Sequence, residues 1–139
     1  MVPGTSLEFP FAYAKVESLG LLFYPIIQIS LKTIFGWREF DFLVDTGADL
    51  TTFPFTVASF LGVDVKKLRK GRTQGVGGIF VPTWDLEIPI KIGGEKLKIH
   101  ASITEDKETP FLLGRKDIFE KKFTLILDSK RKMTVLRHN

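Results

Sequence analysis

Apolar residues along this chain recur mostly with a period of two, which is typical of β-strands. Residues 86–92 carry apolar side chains at even positions, and residues 97–103 carry them at odd positions. Between these segments lie Gly93 and Gly94, a two-residue signal for a hairpin turn. The same criteria predict strands over residues 26–31 and 37–44, and a second hairpin in which residues 123–127 and 133–136 flank a turn at 128–130. The pattern therefore predicts an all-β protein.

Helical signals are few. Residues 54–61 start with a proline and are followed by Gly62, the expected asymmetry of helix ends. Residues 116–122 are long enough for two helical turns after Gly114. Pro89 removes a backbone donor from its strand and favours an edge position there. We expect one or two short helices beside the strands.

Length and composition fit one compact domain. The chain has 139 residues, of which 44% are hydrophobic, so it can form a core without disulfides or a structural metal. It has no cysteine, which excludes disulfides, thiolate zinc sites and cysteine nucleophiles. Its two histidines, His100 and His138, lack ligand-like spacing, and we expect neither a metal nor another cofactor.

No segment predicts an association with a membrane. The longest apolar stretch, residues 19–29, is interrupted and is well short of the roughly 20 residues that cross a bilayer. The first six residues show no charged start followed by an apolar run, so no signal peptide is predicted. We therefore expect a cytoplasmic protein.

Basic residues are concentrated in two places, residues 66–72 and residues 130–132, and the formal net charge is +4. The ordinary explanation of such clusters is a solvated loop or turn. Nucleic-acid binding would need both clusters on one face with exposed aromatic side chains between them. Nucleic acid is not an expected partner on this basis.

The candidate chemistry lies at Asp45-Thr46-Gly47, which follows the apolar run 42–44. A carboxylate at the end of a buried strand is costly unless it is hydrogen-bonded or shared. Glycine allows another chain or a substrate to approach closely. The ordinary alternative is a turn in which Asp45 binds nearby backbone amides. A similar apolar run, 111–113, precedes Gly114 and Arg115, and the two segments could lie side by side in the core.

The stretch from Phe42 to Thr51 resembles the active-site segment of retropepsins, the single-domain aspartic proteases of retroviruses and their cellular and microbial relatives. Gly75-Val76-Gly77-Gly78-Ile79 resembles the glycine-rich tip of the retropepsin flap, and Leu112-Leu113-Gly114-Arg115 resembles the segment before the C-terminal helix of the family. Together these motifs span about residues 26 to 136. The resemblance implies a closed retropepsin-like barrel with a flap hairpin.

The resemblance also implies a division of the chain and an oligomeric state. Residues 21–139 would form the protease domain, and residues 1–20 would be an N-terminal extension that serves as a pro-segment, a dimer arm or an extra strand. Retropepsins need two catalytic aspartates, and this chain has one Asp-Thr-Gly. We therefore expect a homodimeric aspartic endopeptidase that acts on a peptide or protein substrate and pairs the Asp45 carboxylates of two copies.

Site roles follow from matching positions. Asp45 would be catalytic, Thr46 would support it by hydrogen-bonding across the dimer, and Gly47 would offer its carbonyl to the substrate. Substrate contacts would further come from Ala48, Asp49, Gly75, Val76, Gly77 and Gly78. Arg115 would pair with Asp49, as its planar guanidinium suits a carboxylate. Apolar side chains around the cut are expected because the candidate pocket residues are Ala48, Val76, Ile79, Val81 and Leu113.

Two other functions stay open at the level of sequence. One is a non-catalytic dimeric domain of the same fold that binds a peptide or a protein. The other, favoured only by the basic clusters, is a small β-barrel that binds nucleic acid.

Overall fold

The computed structural model describes residues 1–74 and 78–139. The described chain is built mainly of strands, joined by turns, one short α-helix and one 3₁₀ turn. In chain order these elements are β1 Ser6–Pro10, β2 Ala12–Val16, β3 Gly20–Tyr24, β4 Ile26–Thr33, β5 Gly36–Val44, β6 Thr51–Phe53, α1 Val57–Leu61, the 3₁₀ turn Val65–Lys67, β7 Arg69–Gln74, β8 Phe80–Ile92, β9 Glu95–Thr104, β10 Leu112–Leu113, β11 Phe123–Asp128 and β12 Met133–His138. The all-β prediction is confirmed.

Six strands close into a barrel in the order β4-β5-β10-β6-β9-β8. Closure comes from an antiparallel contact between β4 and β8, in which Ser30 lies opposite Lys91 and Leu31 lies opposite Ile90. A seventh strand, β7, pairs with the other part of β8. Most pairs are antiparallel, but β10 runs parallel to β5, and β6 runs parallel to β9. The predicted closed barrel is therefore present.

The barrel interior is filled by the apolar positions that alternate along the strands. Ile88, Ile90 and Ile92 of β8 are buried, as the even-position pattern predicts. The core also contains Ile27, Ile29, Leu31, Phe42, Val44, Phe53, Leu97, Ile99, Ala101, Ile103 and Leu113. Each interior residue has a polar or more exposed neighbour in its strand, which is why period-two patterning locates these residues correctly.

The predicted hairpin at Gly93 and Gly94 is confirmed, with Ile92 opposite Glu95 at its base. Pro89 lies in a strand with partners on both sides, so the expected edge strand is wrong for β8 as a whole. However, β8 pairs with β7 over Phe80–Asp85 and with β4 only at Ile90 and Lys91. Pro89 falls between these two ladders on one side of β8, and on the other side it lies opposite Lys98 of β9.

The first predicted helix is present but short. Residues 54–61 contain α1 only from Val57, and Gly62 closes it with a left-handed φ of 69°. The second predicted helix, residues 116–122, is wrong, because this segment is a series of turns. Asp117 has a φ of 68°, which no α-helix accommodates.

The first 24 residues add strands outside the barrel. β1 pairs antiparallel with β12, and β12 pairs with β11, so the two ends of the chain share a three-stranded sheet. β2 and β3 form a separate hairpin, and its Phe23 stacks on the buried Phe11 at 4.1 Å between ring centroids. An extra strand was one of the three roles considered for residues 1–20, and β1 has that form. Over the described residues, no helix is long and apolar enough to cross a membrane.

Candidate active site

Asp45 directly follows β5 and is held at the barrel edge by β10. Its backbone N–H donates to the carbonyl of Leu113 at 2.9 Å, and the N–H of Leu43 donates to the carbonyl of Phe111 at 2.9 Å. β5 and β10 are parallel, with Leu43 opposite Leu112 and Val44 opposite Leu113. Because parallel strands end at the same edge of a sheet, the loop after β5 and the turn after β10 emerge together. The two similar apolar runs thus lie side by side.

The segment after β10 crosses tightly over the loop that Asp45 begins. Arg115 N–H donates to Ala48 at 3.1 Å, and Lys116 N–H donates to Asp49 at 2.9 Å. Gly114 N–H donates to the hydroxyl of Thr51, which is fully buried, at 3.2 Å. These bonds fix the backbone of the whole loop from Asp45 to Thr51 against the 114–116 segment.

The Arg115 side chain adds a second set of contacts to the same loop. Its guanidinium donates to the backbone carbonyl of Thr46 at 2.5 Å and forms an ion pair with the Asp49 carboxylate. The Asp49 side chain is 86% exposed, so the ion pair itself stabilises the fold little. Its geometric effect is larger, because one planar cation fixes both ends of the Thr46–Asp49 turn.

The Asp45 carboxylate is half-buried and takes part in a local turn. Its Oδ1 accepts the Gly47 N–H at 3.0 Å, and its backbone carbonyl accepts the Ala48 N–H at 3.1 Å. The Asx-type turn considered as the ordinary explanation is therefore present. It uses Oδ1, and within the described part of the chain Oδ2 has no hydrogen-bond partner. The turn thus leaves one carboxylate oxygen available at the surface of the loop.

The remaining site residues divide into three groups. Thr46, Gly47 and Asp49 are exposed and Ala48 is partly buried, so the loop presents these residues to solvent. Gly78 is exposed with a φ of 79°, and it precedes β8. Gly75, Val76 and Gly77 lie outside the described residues.

One expected pocket residue has a different position. Leu113 is fully buried in the barrel core, so the expectation that it lines a substrate pocket is wrong. The β7–β8 arms, which flank the glycine-rich segment, pair up to Gln74 opposite Phe80. Close to that end, Ile79 is 70% exposed and Phe80 is 53% exposed. These apolar side chains are available to a ligand or a second copy.

Two residues that sequence reasoning did not assign are central to this geometry. Thr51 anchors Gly114, and Gly114 lies so close to Leu50 that a side chain has no room there. For Gly114, the sequence does contain a signal, which is the apolar–glycine pattern shared by residues 42–47 and 111–115. In residues 1–74 and 78–139, no three His, Asp or Glu side chains are arranged to hold a metal ion.

An Asp-Thr-Gly loop at the edge of a closed six-stranded barrel is the arrangement of a single-domain acid protease. A family model described as aspartyl protease matches residues 32–116, more than half of the chain. The chain therefore belongs to the aspartyl protease family. Its fold is similar to that of a retropepsin-like aspartic protease from Rickettsia conorii, with a TM-score of 0.64 and 19% sequence identity over 95% of this chain and 98% of that chain. No curated protein matches the sequence significantly.

Proposed function

We propose that this protein is an aspartic endopeptidase that is active as a homodimer, with one Asp45 from each copy in a shared site. The observation that carries the proposal is the fixed, half-exposed position of Asp45 in a chain of the aspartyl protease family that has one Asp-Thr-Gly. Because two carboxylates are needed to divide the acid and base roles, the second must come from another copy.

The expected chemistry uses a pair of carboxylates that share one proton. Two carboxylates in contact cannot both ionise comfortably, so the pair titrates as a unit. The ionised Asp45 takes a proton from a water molecule, whose oxygen attacks the carbonyl carbon of the peptide bond. The protonated Asp45 donates its proton to the carbonyl oxygen. When the C–N bond breaks, the carboxyl that took the proton from water donates it to the leaving nitrogen. A hydroxyl of the tetrahedral intermediate gives its proton to the other carboxylate as it becomes the product acid, so the pair again shares one proton.

The surrounding residues support these steps by position. In the proposed dimer Thr46 hydrogen-bonds across the two-fold axis below the carboxylates, and Gly47 accepts a backbone N–H from the substrate. Arg115 keeps this loop fixed through Thr46 and Asp49, so the carboxylate need not reorganise during the reaction.

The β7–β8 hairpin is proposed to cover the bound peptide as a flap. Its exposed Ile79 and Phe80 are apolar side chains that a bound peptide would remove from water. The backbone of Gly75 to Gly78 would then bond to an extended peptide that lies as an added strand.

A peptide-library cleavage assay between about pH 3 and pH 7 tests the proposal, with sedimentation used to confirm the dimer. We expect cleavage at mildly acidic pH by the wild-type chain. The Asp45→Asn variant should form the same dimer and cut nothing. A confirmed wild-type dimer that cleaves no peptide over this range would rule out the enzymatic function and leave a peptide-binding domain of the same fold.

A further inference from the structure

A second group of titratable side chains lies on the barrel wall, away from Asp45 in sequence. His100 of β9 stands opposite Glu87 of β8, and its ring Nε2 is 3.0 Å from the Glu87 carboxylate. Its ring Nδ1 is 2.7 Å from the carboxylate of Asp117, in the turn after β10. One imidazole thus connects two carboxylates that come from different parts of the chain.

Asp117 is the more deeply placed of the two carboxylates, with a side chain 19% exposed. The backbone N–H of His100 donates to the same Asp117 oxygen at 2.8 Å. Burial raises the pKa of Asp117, but the backbone and ring hydrogen bonds from His100, together with the nearby charges of His100 and Lys116, outweigh burial and hold the pKa below its usual value. Asp117 is therefore ionised at mildly acidic pH, where it can only accept hydrogen bonds.

The hydrogen bonds of this cluster depend on whether His100 is protonated. A neutral imidazole donates from one ring nitrogen and presents a lone pair at the other, whereas a protonated imidazole donates from both. Because a carboxylate faces each nitrogen, only protonated His100 can donate hydrogen bonds to Glu87 and Asp117 at the same time. Histidine ordinarily changes charge between about pH 5 and pH 8.

Other charged groups near His100 do not replace this role. Lys98, its neighbour on the same face of β9, pairs with Glu87 at 3.3 Å but is 71% exposed. Asp85 lies one pair further along the same face of the β8–β9 ladder, opposite Ser102. On the other side of β9, the paired strand β6 is Thr51, Thr52 and Phe53 and carries no charge. Lys116 acts on Asp117 from within the turn.

The turn that holds Asp117 also determines the position of Arg115. The Arg115 carbonyl accepts the N–H groups of Ile118 at 3.2 Å, Phe119 at 2.9 Å and Glu120 at 3.3 Å. Asp117 lies inside this turn with a left-handed φ of 68°, a conformation that a non-glycine residue adopts only when its surroundings hold it. Ile118 beside it is fully buried. Asp117 thus lies in a hydrogen-bonded turn that begins at Arg115, and Arg115 also contacts Thr46 and Asp49.

We propose that His100 is a positioning residue whose protonation, through Glu87 and Asp117, locks the turn carrying Arg115 and thereby the Asp45–Asp49 loop. As a statement about catalysis, this inference rests on the proposed peptidase function. It assigns part of the acid preference of the enzyme to a site outside the catalytic pair. It also predicts that the loop responds to pH when the catalytic pair is absent.

The test is an NMR titration of the full chain carrying Asp45→Asn, which removes the catalytic pair and needs no substrate. We expect the backbone amides of Arg115 and Asp49 to shift with the same midpoint as the His100 ring. These shifts should vanish when His100→Gln is added. Glu87→Gln, a milder change, should reduce the amplitude of the Arg115 and Asp49 shifts.

The inference would be overturned if the amides of Arg115 and Asp49 did not shift with the His100 ring, or if they still shifted with pH in His100→Gln. Either result would count whether or not the protein cleaves peptides. Conversely, coupled shifts in a protein without peptidase activity would support the link between His100 and the loop and refute only the proposed function.

In an active enzyme, His100→Gln should lower kcat by about fivefold near pH 5, change it little near pH 8, and leave KM nearly unchanged. Lys96→Gln, which removes a positive charge further along the same face of β9, where Lys96 lies opposite Lys91, should keep the wild-type pH profile. A reduction of equal size at both pH values would contradict the inference.

Discussion

Gly114 lies directly against the backbone of Leu50, so that a Cβ at position 114 would be 2.4 Å from the carbonyl carbon and oxygen of Leu50. This contact is between main-chain segments, and neither can rotate away as a side chain can. It brings the turn after β10 across the loop after β5 and allows Gly114 N–H to reach Thr51. The glycine is therefore required by close approach and not by a left-handed backbone.

Replacing Gly114 with alanine should destabilise the protein by about 3 kcal/mol, because one of two backbones must move in a well-packed region. Urea unfolding measures the change. Gly94→Ala is the matched control, since an added Cβ at position 94 meets nothing within 4 Å, and it should change the free energy of unfolding by less than about 1 kcal/mol. Equal effects of the two substitutions would show that the Leu50 contact is not a constraint.

Arg115→Lys should lower kcat/KM by about tenfold or more while changing the unfolding temperature little. Lysine keeps the charge but cannot donate to Thr46 and Asp49 from one planar group, and the ion pair with Asp49 is too exposed to stabilise the fold strongly. Steady-state kinetics and thermal unfolding measure the two quantities. Arg131→Lys, at another arginine paired with carboxylates, those of Glu8 and Asp128, is the control and should retain activity. Equal activity of Arg115→Lys and wild type would show that the guanidinium geometry is unimportant.

Asp117→Asn should reduce stability near neutral pH by about 1 kcal/mol, and the difference should disappear in strong acid. The folded-state pKa of Asp117 is lowered, so its contribution is present above the unfolded-state value of about 3.9 and is lost as pH falls through the lower folded-state pKa. Urea unfolding at about pH 7 and about pH 2.5 measures both ends of this window. Asp41→Asn, at an exposed aspartate of β5 bonded to Gln28, is the control and should change stability by less than about 0.5 kcal/mol. A penalty for Asp117→Asn that persists in strong acid would point to packing instead of charge.

Phe53→Ala should destabilise the barrel by about 4 kcal/mol, because the ring is fully buried and packs edge-on against Phe42 and Phe111, each at 5.9 Å between centroids. Phe60→Ala is the matched control at a phenylalanine that is 49% exposed, and it should cost less than about 1 kcal/mol. Chemical unfolding of both variants checks the difference. A small effect at Phe53 would contradict the assignment of the core.

The hydrophobic pattern predicts the barrel strands well where the alternation of apolar residues is regular. Alternation located the interior faces of β8 and β9, and two glycines predicted the turn between them, because side-chain direction in a strand reverses at every residue. The helix predicted over residues 116–122 does not form, because a tertiary contact determines the backbone there. The order of apolar and polar residues over 116–122 permits a helix. However, Asp117 accepts a hydrogen bond from His100 of β9 and has a left-handed φ, which interrupts a helix.

The candidate site was predictable in part. The place of Asp45 at the end of a buried strand could be predicted from the pattern, whereas its catalytic role is a prediction that rests on the resemblance to retropepsins. The similarity of residues 42–47 and 111–115 indicates that β5 and β10 lie together, as the pairing of Leu43 with Leu112 confirms. The contacts of Thr51 with Gly114 and of His100 with Asp117 could not be predicted, since they join residues 63 and 17 positions apart. Leu113 was assigned to a pocket because it is apolar. Its side chain points into the core, which the two-residue strand β10 is too short to reveal by alternation.

The central claim is that two Asp45 residues from two copies form one active site, and mixing wild-type and Asp45→Asn chains tests it most directly. After equal amounts of the two chains are unfolded and refolded together at fixed total concentration, about one quarter of the dimers should contain two intact aspartates. If both are needed, peptide cleavage should fall to about one quarter of the rate of the pure wild-type protein. A rate of about one half would mean that each chain acts alone and would contradict the shared site.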